Sequence, residues 1–397
     1  MVRAMRTLRL AKALETRLRA GHPWCYADAL RDASGVPGEV ATLLDRRGRF
    51  LGRGLVDGGP LHLRVWTTRD EPLDEALLRR RLERARELRR DVVPAATSAY
   101  RLLHGEGDRV PGVTLDVYGA AEGPTRYGVL RLDGGGARVW RSRWVDVLED
   151  TLARGEGDEA LTGLLVRGGR GEAPTLGFGS APPAPLRVTE HGMTLLADLQ
   201  AGQKTGLFLD HREGRRRVRE LARGRRVLNL YAYTGGFGVA AGIGGASRVT
   251  NVDVAPAAVA LAEATWAANG LDPARHRAVV ADVPRFLAED EAREDLIVAD
   301  PPSFAPRESA VPQALESYRK LHTACLRRLL PGGVYLAASC SSHVTPEAFA
   351  ATVRDGARKA RKTLQLLDRW GSPPDHPRLA AFPEGDYLKA LLLRVVD

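Results

Sequence analysis

The 397-residue chain has only three cysteines, Cys25, Cys325 and Cys340, and this odd number at wide spacing excludes a disulfide framework. None of its nine histidines pairs with a cysteine at zinc-ligand spacing, so no metal is expected. No apolar run approaches the roughly eighteen residues a membrane span requires. The N-terminal "MVRAMRTLRLAKALETRLRAGHPW" lacks the uninterrupted apolar stretch and small-residue cleavage site of a signal peptide. These absences point to a soluble, cytoplasmic protein with no membrane partner. Lysine is scarce as well, occurring only at Lys12, Lys204, Lys320, Lys359, Lys362 and Lys389, so the positive charge is nearly all arginine. No fixed-period repeat is present.

What the chain does have is 44% hydrophobic residues, enough at this length for two or three cores. Its formal net charge of +10 favours a polyanionic partner, because neutralising phosphates releases counterions, and nucleic acid is the first candidate. Local runs such as "LRRRLERARELRRD" read more simply as the solvated face of an amphipathic helix.

Three segments follow from the patterning. Residues 1–75 alternate short strands and turns, as in "PGEVATLLDRRGRFLGRGLVDGGPLHLRVWT", and form a small β-rich module. The helical "PLDEALLRRRLERARELRRDV", which begins at Pro72, leads into residues 76–186 and joins two domains. An α+β unit follows, with strands in "YRLLHGEGD", "GVTLDVYG" and "YGVLRLD", a helix in "VDVLEDTLARG" and a returning strand in "TGLLVRG". The Gly-, Ala- and Pro-rich stretch from Gly168 to Pro185 reads as a loop or linker. Residues 187–397 alternate strands and helices in the α/β manner of a parallel doubly wound sheet, closed by a hairpin in "LQLLDRWGSPPDHPRLAAFPEGDYLKALLLRVV".

In such sheets ligands sit outside the C-terminal strand ends, near the reversal of strand order. The first strand runs into "AYTGGFGVAA", whose Gly235, Gly236 and Gly238 allow close approach of backbone to a ligand. Asp253, Asp282 and Asp300 end the next three strands. A dinucleotide is one reading, since Gly236, Gly238 and Ala241 fit G-x-G-x-x-A, and an adenosine without pyrophosphate is another. Any one of the acids can equally be a helix cap. The "DPPSF" of Asp300 to Phe304 separates these readings, because two prolines stiffen a loop suited to holding a planar base.

Beyond these motifs the chain resembles a known family. "GQKTGLFLDHR", "NLYAYTGGFGVAA", "NVDVA", "VVADVPRFL", "ADPPSFA", "LLPGGVYLAASCSSHV" and "FPEGDYLK" look like the S-adenosylmethionine-dependent 23S rRNA cytosine-5 methyltransferases with an N-terminal PUA domain, the RlmI-like family. "AGHPWCYADAL", "RGRFLGRGL" and "RLLHGEGDRVPGVTLDVYG" resemble its PUA and middle domains, so the similarity covers essentially the whole chain. The resemblance implies a Rossmann-like class I methyltransferase domain with a mixed seven-stranded sheet, preceded by a PUA-like RNA-binding domain and a small α+β domain. It implies that the strands leading to Asp300 and Cys340 are neighbours, that Asp253 binds the ribose of S-adenosylmethionine, that Asp282 contacts its adenine and that Gly235 lies under its methionine portion. Lys204, Thr205 and Gly206 would help enclose the cofactor, with Asp210, Arg212, Tyr233, Thr234, Gly236 and Asp300 nearby. The chain departs from the family in carrying His211 in place of the usual glutamine and Tyr231 in place of phenylalanine. Neither change is expected to touch the chemistry.

That chemistry gives Cys340 a purpose. Carbon 5 of cytosine is a poor nucleophile, and a thiolate adding to C6 converts the ring to an enamine that can take a methyl group. Asp300 would bind the N3 edge and the N4 amine, Pro301, Pro302 and Ser303 would line the base, and Phe304 would pack either on the base or on the loop itself. A free thiol titrates near pKa ~8.5, so Cys340 needs a positive or polar neighbour, which the sequence does not name. Many cytosine-5 RNA methyltransferases carry a second cysteine after the aspartate, where this chain has Ser303. Cys325 and Cys25 read as core, the former on a helix face shared with Leu321 and Leu329. The alternatives are a purine amino-methyltransferase, which needs no cysteine, an RNA-binding protein with a vestigial cofactor domain, and a dehydrogenase. The expected partner is 23S ribosomal RNA, and a homodimer is among the oligomeric states the sequence allows.

Overall fold

In a strand covered on both faces, successive side chains enter two different cores, which is why the strands after residue 225 read as continuous apolar runs. The computed structural model, which describes residues 5–154, 160–168 and 172–397, shows this arrangement. Seven strands are designated β1 (Arg226–Leu230), β2 (Arg248–Asp253), β3 (His276–Val280), β4 (Glu294–Ala299), β5 (Leu329–Ser339), β6 (Leu364–Trp370) and β7 (Lys389–Val395). They form one sheet in the order β3-β2-β1-β4-β5-β7-β6. The first five are parallel, β7 runs antiparallel to β5, and β6 antiparallel to β7. Leu228, Ile297 and Tyr335 bury on one face with Tyr318 and Phe349 from the helices Val311–Arg328 and Pro346–Ala360. Val227, Leu296 and Leu336 bury on the other with Val218 and Phe237 from the helices Arg212–Leu221 and Gly236–Ile243.

Contacts divide the chain into two compact units. One comprises Met1–Val188, Ala197–Leu207 and Pro374–Gly385, and the other Thr189–Leu196, Phe208–Pro373 and Asp386–Asp397. The second unit holds the seven-stranded sheet. In the first, one five-stranded sheet is built from Arg6–Arg9, Val40–Leu44, Phe50–Val56, Leu61–Thr67 and Trp24–Tyr26, in that spatial order. A second has the order Thr175–Gly179, Gly163–Arg167, Arg126–Leu132, Val113–Gly119 and Ala99–His104. The helix Glu75–Val92 is capped by Asp74, whose side chain accepts from the Leu77 amide, and it buries Leu77, Leu78, Leu82 and Ala85. Leu55 and Trp66 belong to the same core as these leucines, so the composition boundary near residue 75 runs through packed side chains.

Three expectations are corrected here. The stretch from Gly168 to Pro185, read as a loop, contains the strand Thr175–Gly179, paired antiparallel with Gly163–Arg167; residues 169–171 lie outside the described residues. Its glycines hid a strand because the ladder depends on backbone groups rather than side chains. The arginine run of Glu75–Val92 is not all solvated face, because Arg89 is buried and makes a bidentate pair with Asp108 at 2.7 Å. Leu329, assigned to a helix face, instead opens β5, although it is buried as Leu321 and Cys325 are. The expected helix from Val145 is observed as Arg141–Leu148 continuing into the π-helical Glu149–Ala153, and its last residue, Gly155, lies outside the described residues.

Candidate active site

Asp300 follows β4 and Cys340 follows β5, and these strands are parallel neighbours with Ala299 opposite Ala337. Their loops are tied directly, the Ser303 and Ser341 hydroxyls lying 3.0 Å apart. Tyr318, buried on the helix Val311–Arg328, bonds through its hydroxyl to Ser339 Oγ at 2.8 Å and Ser341 Oγ at 3.1 Å. Burial raises the Tyr318 pKa, and the negative forms of Cys340 and Asp300 raise it further, so one hydroxyl feels both groups. Within "DPPSF" Pro301 is buried, while Pro302 and Ser303 are exposed. Phe304 is half-buried, its ring centroid 4.9 Å from that of Tyr318.

His211 lies in the short turn Leu209–His211 before the helix Arg212–Leu221. Its Nε2 is 3.0 Å from Asp300 Oδ2, its side chain is only 3% exposed, and Nδ1 has no hydrogen-bond partner among the described residues. The expectation that His211 stands apart from the chemistry is therefore corrected, since its ring touches the aspartate. Burial opposes its charge, but Asp300 and then Asp210 outweigh that effect and raise its pKa. Arg215, one turn further on, fixes this segment. It grips Glu190 bidentately at 2.6 Å on both oxygens and donates to the Phe208 carbonyl at 3.0 Å. Asp210 accepts from the Tyr387 hydroxyl at 2.7 Å, and Arg212 is fully buried.

The three cysteines differ sharply. Cys25 and Cys325 are buried, and desolvation pushes both thiols up to about 12, so they stay protonated. Cys340 is half-buried at the mouth of β5. Across the β5–β7 ladder, Lys389 faces Ser339, and its Nζ donates to the Ser341 carbonyl at 2.5 Å and the Tyr387 carbonyl at 2.8 Å. Lys389 is buried, and desolvation pushes its pKa down to about 8, against the upward pull of Cys340 and Asp386. The motif reading passed over this lysine. The available signal was a rare lysine, not arginine, beginning an otherwise apolar strand in "FPEGDYLK".

The turn after β1 carries unusual backbone geometry. Tyr231 and Tyr233 adopt φ of 57° and 47°, and Gly235 follows with 75°. Asp253 at the end of β2 holds the turn, its Oδ2 accepting from the Tyr233 amide at 2.9 Å and its Oδ1 from the Ala255 amide at 3.0 Å. The space that side chains on these glycines would fill is taken by protein. A Cβ on Gly238 would lie 2.3 Å from Asn251 Oδ1, one on Gly235 2.7 Å from the Ala262 Cβ, and one on Gly236 3.0 Å from Arg215 Cδ. They let the helix Gly236–Ile243 pack closely on its neighbours. Thr234 is buried in the same turn. Asp282 is exposed and caps the helix Val283–Glu289, accepting from the Arg285 amide at 3.1 Å.

Lys204, Thr205 and Gly206 belong to the first compact unit. There the Thr205 hydroxyl donates to Asp116 Oδ2 at 2.6 Å and lies 3.0 Å from the Tyr118 hydroxyl. Lys204 and Gly206 have φ of 50° and 126°. Among the described residues no group of three His, Cys, Asp or Glu could hold a metal, and no helix is long and apolar enough to cross a membrane.

The strand order reverses between β1 and β4, so the Gly turn and the Asp300 loop flank the crevice where open α/β sheets bind ligands. Asp253 offers a half-buried carboxylate beside that turn, which fits a nucleoside's ribose.

Comparison with known proteins agrees with this geometry. Residues 176–394 match the S-adenosylmethionine-dependent methyltransferase family, and residues 8–67 a PUA-like domain. The chain is 36% identical to the ribosomal RNA large subunit methyltransferase I of Klebsiella pneumoniae, over 98% of both chains. It is 38% identical to a ribosomal RNA large subunit methyltransferase of Deinococcus radiodurans, over 98% of this chain and 97% of that one. Among solved structures, a protein of Streptococcus mutans assigned as a SAM-dependent methyltransferase superposes with a TM-score of 0.86 at 25% identity, covering 98% of this chain and 100% of that one. A second structure with the same scores is complexed with SAH.

Proposed function

The chain belongs to the S-adenosylmethionine-dependent ribosomal RNA large subunit methyltransferase family, and from that premise we propose that it methylates C5 of a cytosine in 23S ribosomal RNA through a covalent bond to Cys340. The observation that carries this reading is the bond between Ser303 and Ser341, which brings the loop bearing an accessible thiol to the loop bearing Asp300. A purine amino-methyltransferase would have no use for that thiol.

S-adenosylmethionine supplies an electrophilic methyl group. The residues proposed to hold it are Asp253 at the ribose, Asp282 at the adenine and the turn of Tyr233, Thr234, Gly235 and Gly236, with Asp210 and Arg212 contributing. The remaining steps belong to the chain and the base. Cys340 adds to C6 as its thiolate, and the buried Lys389 ammonium stabilises that charge where little water can do so. Asp300 accepts from the N4 amine and manages the proton at N3, so that charge does not accumulate on the ring. C5 then takes the methyl group, a base removes its proton, and the thiolate leaves. Pro301, Pro302, Ser303 and Phe304 are the proposed contacts to the base. Reaching a stacked cytosine requires flipping it out, at a cost of a few kcal/mol, or a single-stranded target.

The PUA-like residues 8–67 are proposed to hold RNA by backbone and shape contacts, in keeping with the net charge of +10. The reaction is placed in the cytoplasm, where 23S ribosomal RNA is made and folded. The test is nucleoside mass spectrometry of RNA after turnover. 5-Methylcytidine supports the reading, and label on a purine amine overturns it.

A further inference from the structure

We propose that His211 is a positioning residue which shares one proton with Asp300, so that the pair, rather than the aspartate alone, sets the protonation state presented to the base. The inference rests on the cytosine-5 reading and extends it to a residue with no assigned role. Its basis is geometric. His211 Nε2 is 3.0 Å from Asp300 Oδ2, the imidazole is 3% exposed, and its other nitrogen has no partner among the described residues, so among these Asp300 is the ring's one hydrogen-bonded neighbour.

The groups around the ring define its charge. Asp300 and Asp210 favour the imidazolium, while burial and the Arg215 guanidinium oppose it. Arg215 is itself committed to Glu190, and the ring of Phe237 lies 5.5 Å away, edge-on. The balance raises the His211 pKa, so the imidazole holds its proton to higher pH beside Asp300 than it would alone.

That proton has a destination. When Cys340 Sγ bonds to C6, the C5=C6 π pair moves to C4–C5, the C4=N3 π pair moves onto N3, and N3 takes the shared proton. His211 is left neutral with Asp300 ionised. The C4–C5 pair then bonds to the methyl carbon from S-adenosylmethionine, whose carbon–sulfur pair stays on the departing S-adenosylhomocysteine, the N3 lone pair re-forms C4=N3, and N3 returns the proton to the pair. A base then takes the C5 proton, C5=C6 re-forms and the thiolate leaves.

The pair must be protonated to act, and the thiol must be ionised. Turnover should therefore rise with pH along the Cys340 limb and fall along an alkaline limb owned by His211–Asp300. His211→Gln preserves a donor to Asp300 but cannot titrate. Glutamine being the residue usual in the family, kcat should fall by no more than about a few-fold, KM for RNA should change little, and the alkaline limb should be abolished. A variant that retains the wild-type limb overturns the proposal. A second measurement needs no substrate: NMR titration of His211 in the intact protein, with and without Asp300→Asn. The substitution should lower the His211 pKa, and an unchanged value overturns the pairing. Failure of the cytosine-5 reading has a different signature, full turnover by Cys340→Ala, and leaves the titration result standing.

Discussion

The hydroxyls of Ser303 and Ser341 lie 3.0 Å apart, joining the loop after β4 to the loop after β5. Neither loop has a regular ladder beyond its strand end, so this bond and the two from Tyr318 hold the facing geometry. Ser341→Ala removes two of these three, the bonds to Ser303 and to Tyr318, and leaves the buried Tyr318 hydroxyl with Ser339 alone. Stability should fall by about 1–2 kcal/mol, read as a lower denaturation midpoint at constant m, and kcat should fall more than KM rises.

Lys389 gives a chemical and a thermodynamic expectation. Lys389→Met removes the cation near Cys340 and should slow alkylation of that cysteine by iodoacetamide at pH 7 by about tenfold, with Cys25 and Cys325 unreactive in both proteins. The lysine's pKa falls from 10.5 to about 8 on folding, so the unfolded chain binds more protons between those values. The native state should therefore gain stability relative to Lys389→Met as pH rises from 8 to 10.5, by about 3 kcal/mol at most. Urea denaturation of both proteins across that range checks the sign.

Gly238→Ala tests why the Gly turn is built as it is. The new methyl would meet Asn251 Oδ1 at 2.3 Å, and Asn251 is held by bonds to Asn229 and His276. A loss of about 1–3 kcal/mol is expected from thermal or denaturant melts.

Asp253→Asn separates the two duties of that carboxylate. The amide keeps one oxygen for either the Tyr233 or the Ala255 amide but not both, and it no longer offers an anion to ribose hydroxyls. Calorimetric titration should show S-adenosylmethionine bound about tenfold more weakly or worse.

The sheet was legible because its strands carry apolar residues on both faces and its turns end in Gly or Asp. Asp300 and Cys340 could be named because each breaks an apolar run at a strand end. Two neighbours stayed hidden for physical reasons. His211 reaches Asp300 only through tertiary packing, from a turn pinned by Arg215 and Glu190, and no local periodicity reports such a contact. Lys389 looks like an ordinary strand residue until the β5–β7 register sets it opposite Ser339. The strand Thr175–Gly179 and the buried Arg89 were missed because composition describes side chains, whereas ladder bonds and a carboxylate brought in from a distant loop decided their structure.

The central claim, a bond between the Cys340 sulfur and C6 of a cytosine, is tested most directly with RNA carrying 5-fluorocytidine. Fluorine at C5 leaves no proton to remove, so the adduct persists once the methyl group has been transferred. With S-adenosylmethionine present, the protein should form a denaturation-resistant complex with this RNA, peptide mapping should place the link at Cys340, and Cys340→Ala should form none. Methylation of ordinary RNA without any trapped complex, or a link at another residue, would contradict the account.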